Sequence, residues 1–205
     1  MRRFDPACLD LKAAVASGTY GAPLLCVSRG VTSAPGCTDE FSVTGSAIHE
    51  FDTVPCLLDS PVTEVSRHAP RATSAVTGLR DPQVMLLRTA DGALTTVETF
   101  LNAGYGYDVC CEIVAEHGAV ALAHPARLVR DADRTRATAH PTDWRPRFAD
   151  AYRLEFQAWT DAVAQGGPSP PATAHDGLAA TAVAEAVIRS MKDGGRTVPV
   201  AVPEV

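Results

Sequence analysis

A change of period in the middle of the chain limits its fold more than any other feature. Between residues 62 and 130 apolar and polar side chains alternate, which predicts strands over 62–69, 83–89, 93–101, 107–116, 119–123 and 126–130. Asp91-Gly92 and His117-Gly118 fall between consecutive runs, where hairpin turns need residues that tolerate positive φ. Neighbouring strands there are expected to be antiparallel. A sheet of this kind must bury at least one face, and the flanks of the chain have to supply the cover.

Those flanks read as helices. Asp5-Pro6 followed by Leu9, Ala13 and Ala16 has the N-cap, N1 proline and spacing of a short helix that closes at Ser17-Gly18. Residues 23–31 read as a strand, and 32–41, with Pro35 and Gly36, as a loop. A second helix is expected from Ser46 to Leu58, with Pro55 kinking or ending it. After Asp143 the helical period returns: Trp144, Phe148, Tyr152, Phe156, Trp159 and Val163 recur at three- and four-residue steps, a stripe that reads as core. Gly166-Gly167 stops it, a Pro/Ser connector spans 168–171, and a last helix runs from about His175 to Lys192 before a short strand at 197–200.

This order predicts one α+β domain over residues 1–205, a mostly antiparallel open sheet with helices on one face. The uncovered face would carry alternate side chains such as Val97, Thr99 and Leu101, or their odd-register neighbours. If those are apolar, a partner subunit is the expected cover.

Composition excludes several functions. A net charge of −6 with no basic cluster argues against nucleic acid and against an anionic membrane surface. The opening Met-Arg-Arg is followed by Phe4-Asp5-Pro6 where a signal peptide would be apolar, and no run approaches the ~18 apolar residues of a membrane span. The chain therefore reads as cytoplasmic. Its six cysteines contain no C-x-x-C pair and read as small reduced core residues. No G-x-G-x-x-G or P-loop is present to hold a nucleotide, no G-x-S-x-G supplies a nucleophile, and His49-Glu50 fails as a zinc helix because position 53 is Thr53. Neither a cofactor-binding nor a metal-binding residue is expected.

Two polar constellations remain. His49, Glu50 and Asp52 are either a locally bonded histidine with acids facing water, or a general acid/base whose pKa suits proton transfer from an alcohol. The segment Asn102-Ala103-Gly104-Tyr105-Gly106-Tyr107-Asp108 is either a plain connection or a rim that offers tyrosine hydroxyls and an amide to a polyhydroxylated ligand.

Four motifs then occur in a telling order: Met1-Arg2-Arg3-Phe4-Asp5-Pro6, His49-Glu50-Phe51-Asp52, Asn102 to Val109, and Trp144-Arg145-Pro146-Arg147-Phe148-Ala149-Asp150-Ala151-Tyr152. Together they resemble the C-terminal part of the glucose-fructose oxidoreductase / inositol dehydrogenase / MocA (Gfo/Idh/MocA) family, and within it the bacterial inositol 2-dehydrogenases. The resemblance implies a dihydrodipicolinate-reductase-like domain for substrate binding and oligomerisation, without the N-terminal Rossmann domain. Met1 falls inside the motif that follows that domain in full-length relatives, so a polypeptide of this kind is expected to begin earlier.

The resemblance also implies chemistry. Full-length relatives move hydride between a polyol carbon and NAD(H), with a lysine from the nucleotide domain and the Asp and His of a D-T-x-x-H motif. That motif stands here as Gly45-Ser46-Ala47-Ile48-His49, so the histidine is kept and the carboxylate is lost. Neither lysine, Lys12 or Lys192, matches the catalytic one. His49 is the inherited catalytic residue, and Arg2, Ser46, His49, Tyr105 and Tyr107 are the implied substrate contacts. The expectation is an oxidoreductase domain that is catalytically incomplete alone, binds no NAD(H) by itself, takes a polyol or sugar and forms a homo-oligomer through its open sheet face. The alternatives are a non-catalytic polyol-binding or assembly module pairing with a full-length paralogue, and an enzyme that borrows a nucleotide-binding domain from another chain.

Overall fold

A computed structural model of the protein describes residues 1–32, 36–71, 78–123, 128–167 and 172–203. A 3₁₀ turn (Arg2–Phe4) leads through Asp5 into helix α1 (Pro6–Ala16), whose proline forgoes an amide that the first helical turn leaves unpaired anyway. Strand β1 (Pro23–Val31) follows as expected.

The next helix begins earlier than its pattern indicates. It opens as α2 (Asp39–Phe41), passes through a π-helical turn at Ser42–Ala47 and continues as α3 (Ile48–Leu58). The expected loop at 32–41 is corrected at its end, because the Thr38 hydroxyl accepts the Phe41 amide at 3.1 Å and Asp39 and Glu40 fill the first turn. Pro55 does not end the helix. It lies in the last turn, where it forfeits one backbone bond, and Asp59 closes the helix in the left-handed region at φ 51°.

Strands β2 (Val62–His68), β3 (Gln83–Thr89), β4 (Leu94–Phe100), β5 (Asp108–Ala115) and β6 (Gly118–Ala121) join β1 in one sheet. Both glycine turns connect antiparallel neighbours, β3 to β4 and β5 to β6, while β1 and β4 run parallel. Strands β7 (Val129–Ala132) and β8 (Thr135–Thr138) form a separate ribbon, so the strand expected at 126–130 is not part of the main sheet. Helices α4 (Arg145–Gln165) and α5 (Ala174–Lys192) follow, and β9 (Val198–Pro199) completes a seven-stranded order β6-β5-β1-β4-β3-β2-β9. Pro35, residues 126–127 and the connector at 168–171 lie outside the described residues.

Register decides which face is covered. Met85 pairs with Val97 and Leu87 with Thr95, and these point to the side where α3 and α5 lie. There Val43, Ala47 and Phe51 pack with Ala180, Val183, Ala184, Ala186 and Val187 over Val65, Met85, Leu87 and Val97. Val97, Thr99 and Leu101 are consequently buried under the helices, which corrects their placement on the open face. The odd-register neighbours Leu25, Val27, Leu86, Leu94, Thr96 and Phe100 occupy that face instead, half-buried, with Arg29–Glu98 at 3.2 Å and Arg88–Glu64 at 2.7 Å among them.

The aromatic stripe of α4 is the larger correction. Phe148 and Ala151 are buried, but Phe156, Trp159 and Val163 are 62%, 56% and 63% exposed. Among the described residues the helix packs chiefly on the Arg2–Phe4 turn. Of the cysteines, Cys8, Cys26 and Cys111 are buried while Cys37, Cys56 and Cys110 are half-buried, and all six are free thiols.

Candidate active site

The four motifs converge on a cleft at the start of α3. Arg2 is buried at 6% exposure, and its Nη1 lies 2.6 Å from Glu50 Oε1. Ser28 on β1 donates a short hydrogen bond to the other carboxylate oxygen. Arg3 binds Asp52 at 2.6 Å and reaches Asp176 of α5 at 3.1 Å. The acids after His49 are therefore paired: Glu50 and Asp52 anchor the N-terminal strip to α3, and Asp176 ties it to α5. Arg147 of α4 grips Asp5 with two bonds of 2.6 and 2.7 Å, and both Arg2 and Arg147 stack on the Phe148 ring, at 5.3 and 4.7 Å from its centroid. Burial opposes the charge on Arg2, but Glu50 and Tyr107 hold its pKa above the ordinary value, so the guanidinium stays charged.

Above this base lies a cleft of about 220 Å³ lined by Arg2, Gly30, Phe41, Gly45, Ser46, His49, Tyr107, Trp144 and Tyr152 together with Met1, Val31, Thr32 and Leu101. It gathers Arg2, Ser46, His49 and Tyr107 from three distant stretches of sequence. Tyr105 is elsewhere, 49% exposed and edge-on to His140 at 5.3 Å. The polar segment around it splits into two roles. Asn102 is structural, since Asp81 accepts from the amides of Leu101 and Asn102 at 2.8 and 2.9 Å and from the Asn102 side chain at 3.3 Å. Gly106, at φ 116°, lets the chain pass Pro141, whose carbonyl would lie 2.8 Å from a Cβ there, and so turns Tyr107 into the cleft.

Electrostatics favour a neutral imidazole. Burial lowers the His49 pKa, and the Arg2 and N-terminal charges lower it further, outweighing Glu50 and Asp52. A neutral imidazole can accept a proton from an alcohol. Tyr107 is pushed up, chiefly by burial, and its hydroxyl remains a donor. The Arg2 Nε is buried without a hydrogen-bond partner among the described residues.

Position 45 is an interior helical glycine, which costs about 1 kcal/mol relative to alanine. A Cβ there would lie 2.5 Å from the Phe41 ring, so the ring fills the space of the missing side chain. Sequence reasoning missed Phe41, Trp144 and Tyr152 as cleft residues. The Thr38-Asp39-Glu40 capping pattern was the available signal for the first, and the other two were absorbed into an expected core stripe.

The profile described as "Oxidoreductase family, C-terminal alpha/beta domain" of the Gfo/Idh/MocA group matches residues 40–202. This chain belongs to that family. It is 52% identical over 98% of its length to inositol 2-dehydrogenase 2 of Paenarthrobacter aurescens, and 47% identical over 95% to inositol 2-dehydrogenase 1 of Saccharopolyspora erythraea. It spans 61% and 58% of those proteins' lengths, about three fifths. Among solved structures, myo-inositol dehydrogenase from Lactobacillus casei in complex with NAD(H) and myo-inositol superposes with a TM-score of 0.94 at 32% identity, over all of this chain and 61% of that one. The fold is thus the family's C-terminal domain, and the sequence is inositol 2-dehydrogenase-like.

Proposed function

We propose that these residues form the polyol-binding part of an inositol-dehydrogenase-type site and do not by themselves carry out hydride transfer. One observation supports this most: Arg2, Ser46, His49 and Tyr107, drawn from three distant stretches of sequence, line a single cleft with aromatic walls. A few convergent polar groups among aromatic faces suit a small polyhydroxylated ring. Arg2, Ser46 and Tyr107 offer donors to hydroxyl oxygens, and neutral His49 accepts a hydroxyl proton. The aromatic walls of Phe41, Trp144 and Tyr152 limit access of water to the ring.

A dinucleotide does not fit the described residues. The cleft of about 220 Å³ has room for one small ring and not for a dinucleotide, and no glycine-rich strand-to-helix turn adjoins it. These residues therefore bind and orient a polyol, and the hydride acceptor and lysine of the family reaction would have to come from a nucleotide-binding domain. No described helix is long and apolar enough to cross a membrane, and six free thiols suit a reducing cytoplasmic setting.

Calorimetry with myo-inositol tests the reading. Binding by the chain that is lost in Ser46→Ala and His49→Ala, with no NAD reduction in the same sample, is the expected result. Turnover by the 205-residue chain proportional to its concentration would defeat it.

The open sheet face supports self-association. Its half-buried Leu25, Val27, Leu86, Leu94 and Phe100 form an apolar strip of the kind another subunit covers. Light scattering should report an oligomer, and Leu86→Lys should shift it toward the monomer. A wild-type monomer at high concentration would exclude this assembly.

A further inference from the structure

Beside His49 the cleft has a wall that no polar group occupies. Phe41 lies one helical turn before Gly45, which lies one turn before His49, and all three line the cleft. The Phe41 ring tip would be 2.5 Å from a Cβ at position 45, nearer than a real side chain permits, so the ring can lie there only because residue 45 is glycine. The ring is 46% exposed, unusual for a phenylalanine on a packed helix, and it lines the cleft. Phe41 ends α2 and Gly45 lies in the π-helical turn Ser42–Ala47 that follows, a local winding often found at functional sites. It is held in place by the Thr38 cap and by the buried Ser42–Thr99 hydroxyl pair at 2.6 Å.

We propose that Phe41, seated on Gly45, is a specificity-determining residue: it sets a carbon wall beside His49 and selects a ring polyol that turns a C–H edge, not a hydroxyl, toward that wall. The selectivity rests on the polyol reading of the cleft, whereas the packing of ring on glycine does not. Hydroxyls directed at Arg2, Ser46, His49 and Tyr107 exchange water for protein partners. A hydroxyl pressed against Phe41 loses its water and gains none, so the orientation that places C–H on the ring is preferred.

Two measurements on the 205-residue chain test this. The first is a thermal cycle of wild type, Phe41→Ala, Gly45→Ala and the double variant. Gly45→Ala should raise Tm by several degrees in the Phe41→Ala background, where alanine simply improves the helix, and should fail to raise it when the ring is present. Equal gains in both backgrounds would show that the ring and position 45 do not share space, and would overturn the proposal. The second is calorimetry with myo-inositol and a panel of monodeoxy-inositols. In wild type at least one monodeoxy compound should bind as tightly as myo-inositol, and in Phe41→Ala the ratio for that compound should move about tenfold in favour of myo-inositol. Binding with an unchanged deoxy profile would overturn the role of Phe41 alone. Failure of every inositol to bind wild type would overturn the polyol reading and with it the selectivity.

Discussion

Helices α4 and α5 are of similar length and carry opposite side chains to opposite environments. In α5 the buried residues are small: Ala180, Ala182, Val183, Ala184, Ala186, Val187 and Ser190. They let the helix axis approach the sheet, and Ser190 uses that closeness to accept the Arg67 amide at 3.0 Å while donating to the Arg196 carbonyl at 2.6 Å. In α4 the stripe contains large rings, yet only Phe148 and Ala151 are buried. Its first turns are fixed by the Arg147–Asp5 pair and by Phe148 under two guanidinium groups, and they supply Trp144 and Tyr152 to the cleft. Apolar periodicity thus shows that a helix has an apolar face, not that the molecule has something to put against it.

The comparison predicts a graded set of effects. Phe148→Ala removes the ring that holds α4 and two arginines, and should cost about 3–5 kcal/mol by urea unfolding. A cost near zero would mean that the ion pairs alone anchor the helix. Ala186→Leu overfills the contact between α5 and the sheet and should cost about 1–3 kcal/mol in the same measurement, and a neutral result would show slack where the packing has none. The Thr173 hydroxyl accepts the Asp176 amide at 3.2 Å, and the Thr173 amide donates to the Asp176 carboxylate at 2.7 Å, a capping box. Thr173→Ala should therefore cost about 0.5–2 kcal/mol.

On α4, Phe156→Ser with Trp159→Ser should change stability by no more than about 0.5 kcal/mol per site, because both rings are mostly exposed. A large loss would place the stripe in a contact with another subunit. The smallest effect concerns pH. His49 has a folded pKa below its ordinary 6.5, so the unfolded chain binds the proton more readily. Its contribution is complete above about pH 6.5 and declines as pH falls through the lower folded value. His49→Asn should flatten that part of the stability–pH curve, and superimposable curves for variant and wild type would show that the imidazole is not held neutral by the fold.

Much of the fold was legible in local pattern. Strand β1 and helix α1 came out with their observed ends, because Pro6, Ser17-Gly18 and the bounds of 23–31 are signals contained in a few neighbouring residues. Both glycine turns lie where antiparallel strands meet, since positive φ is a property of a single residue. The start of α2 was missed because Pro35 and Gly36 read as a loop and masked the cap that follows at Thr38. Of the substrate contacts implied by resemblance, Arg2, Ser46, His49 and Tyr107 share the cleft while Tyr105 is on the surface beside His140. Alternation along a two-tyrosine segment cannot tell which hydroxyl faces inward; Gly106 and its approach to Pro141 decide that.

By itself the sequence determined most of the elements and their order, the antiparallel hairpins at both glycine turns and the presence of His49 without an acid at position 45, because each depends on residue type and short spacing. Tertiary structure alone decided which face of β4 is buried, that Glu50 and Asp52 pair with Arg2 and Arg3, and that α4 leaves its rings exposed. It also decided that the Phe41 ring takes the place left free at Gly45. These outcomes depend on contacts between segments far apart in the chain, and burial and pairing are properties of the space those segments jointly enclose.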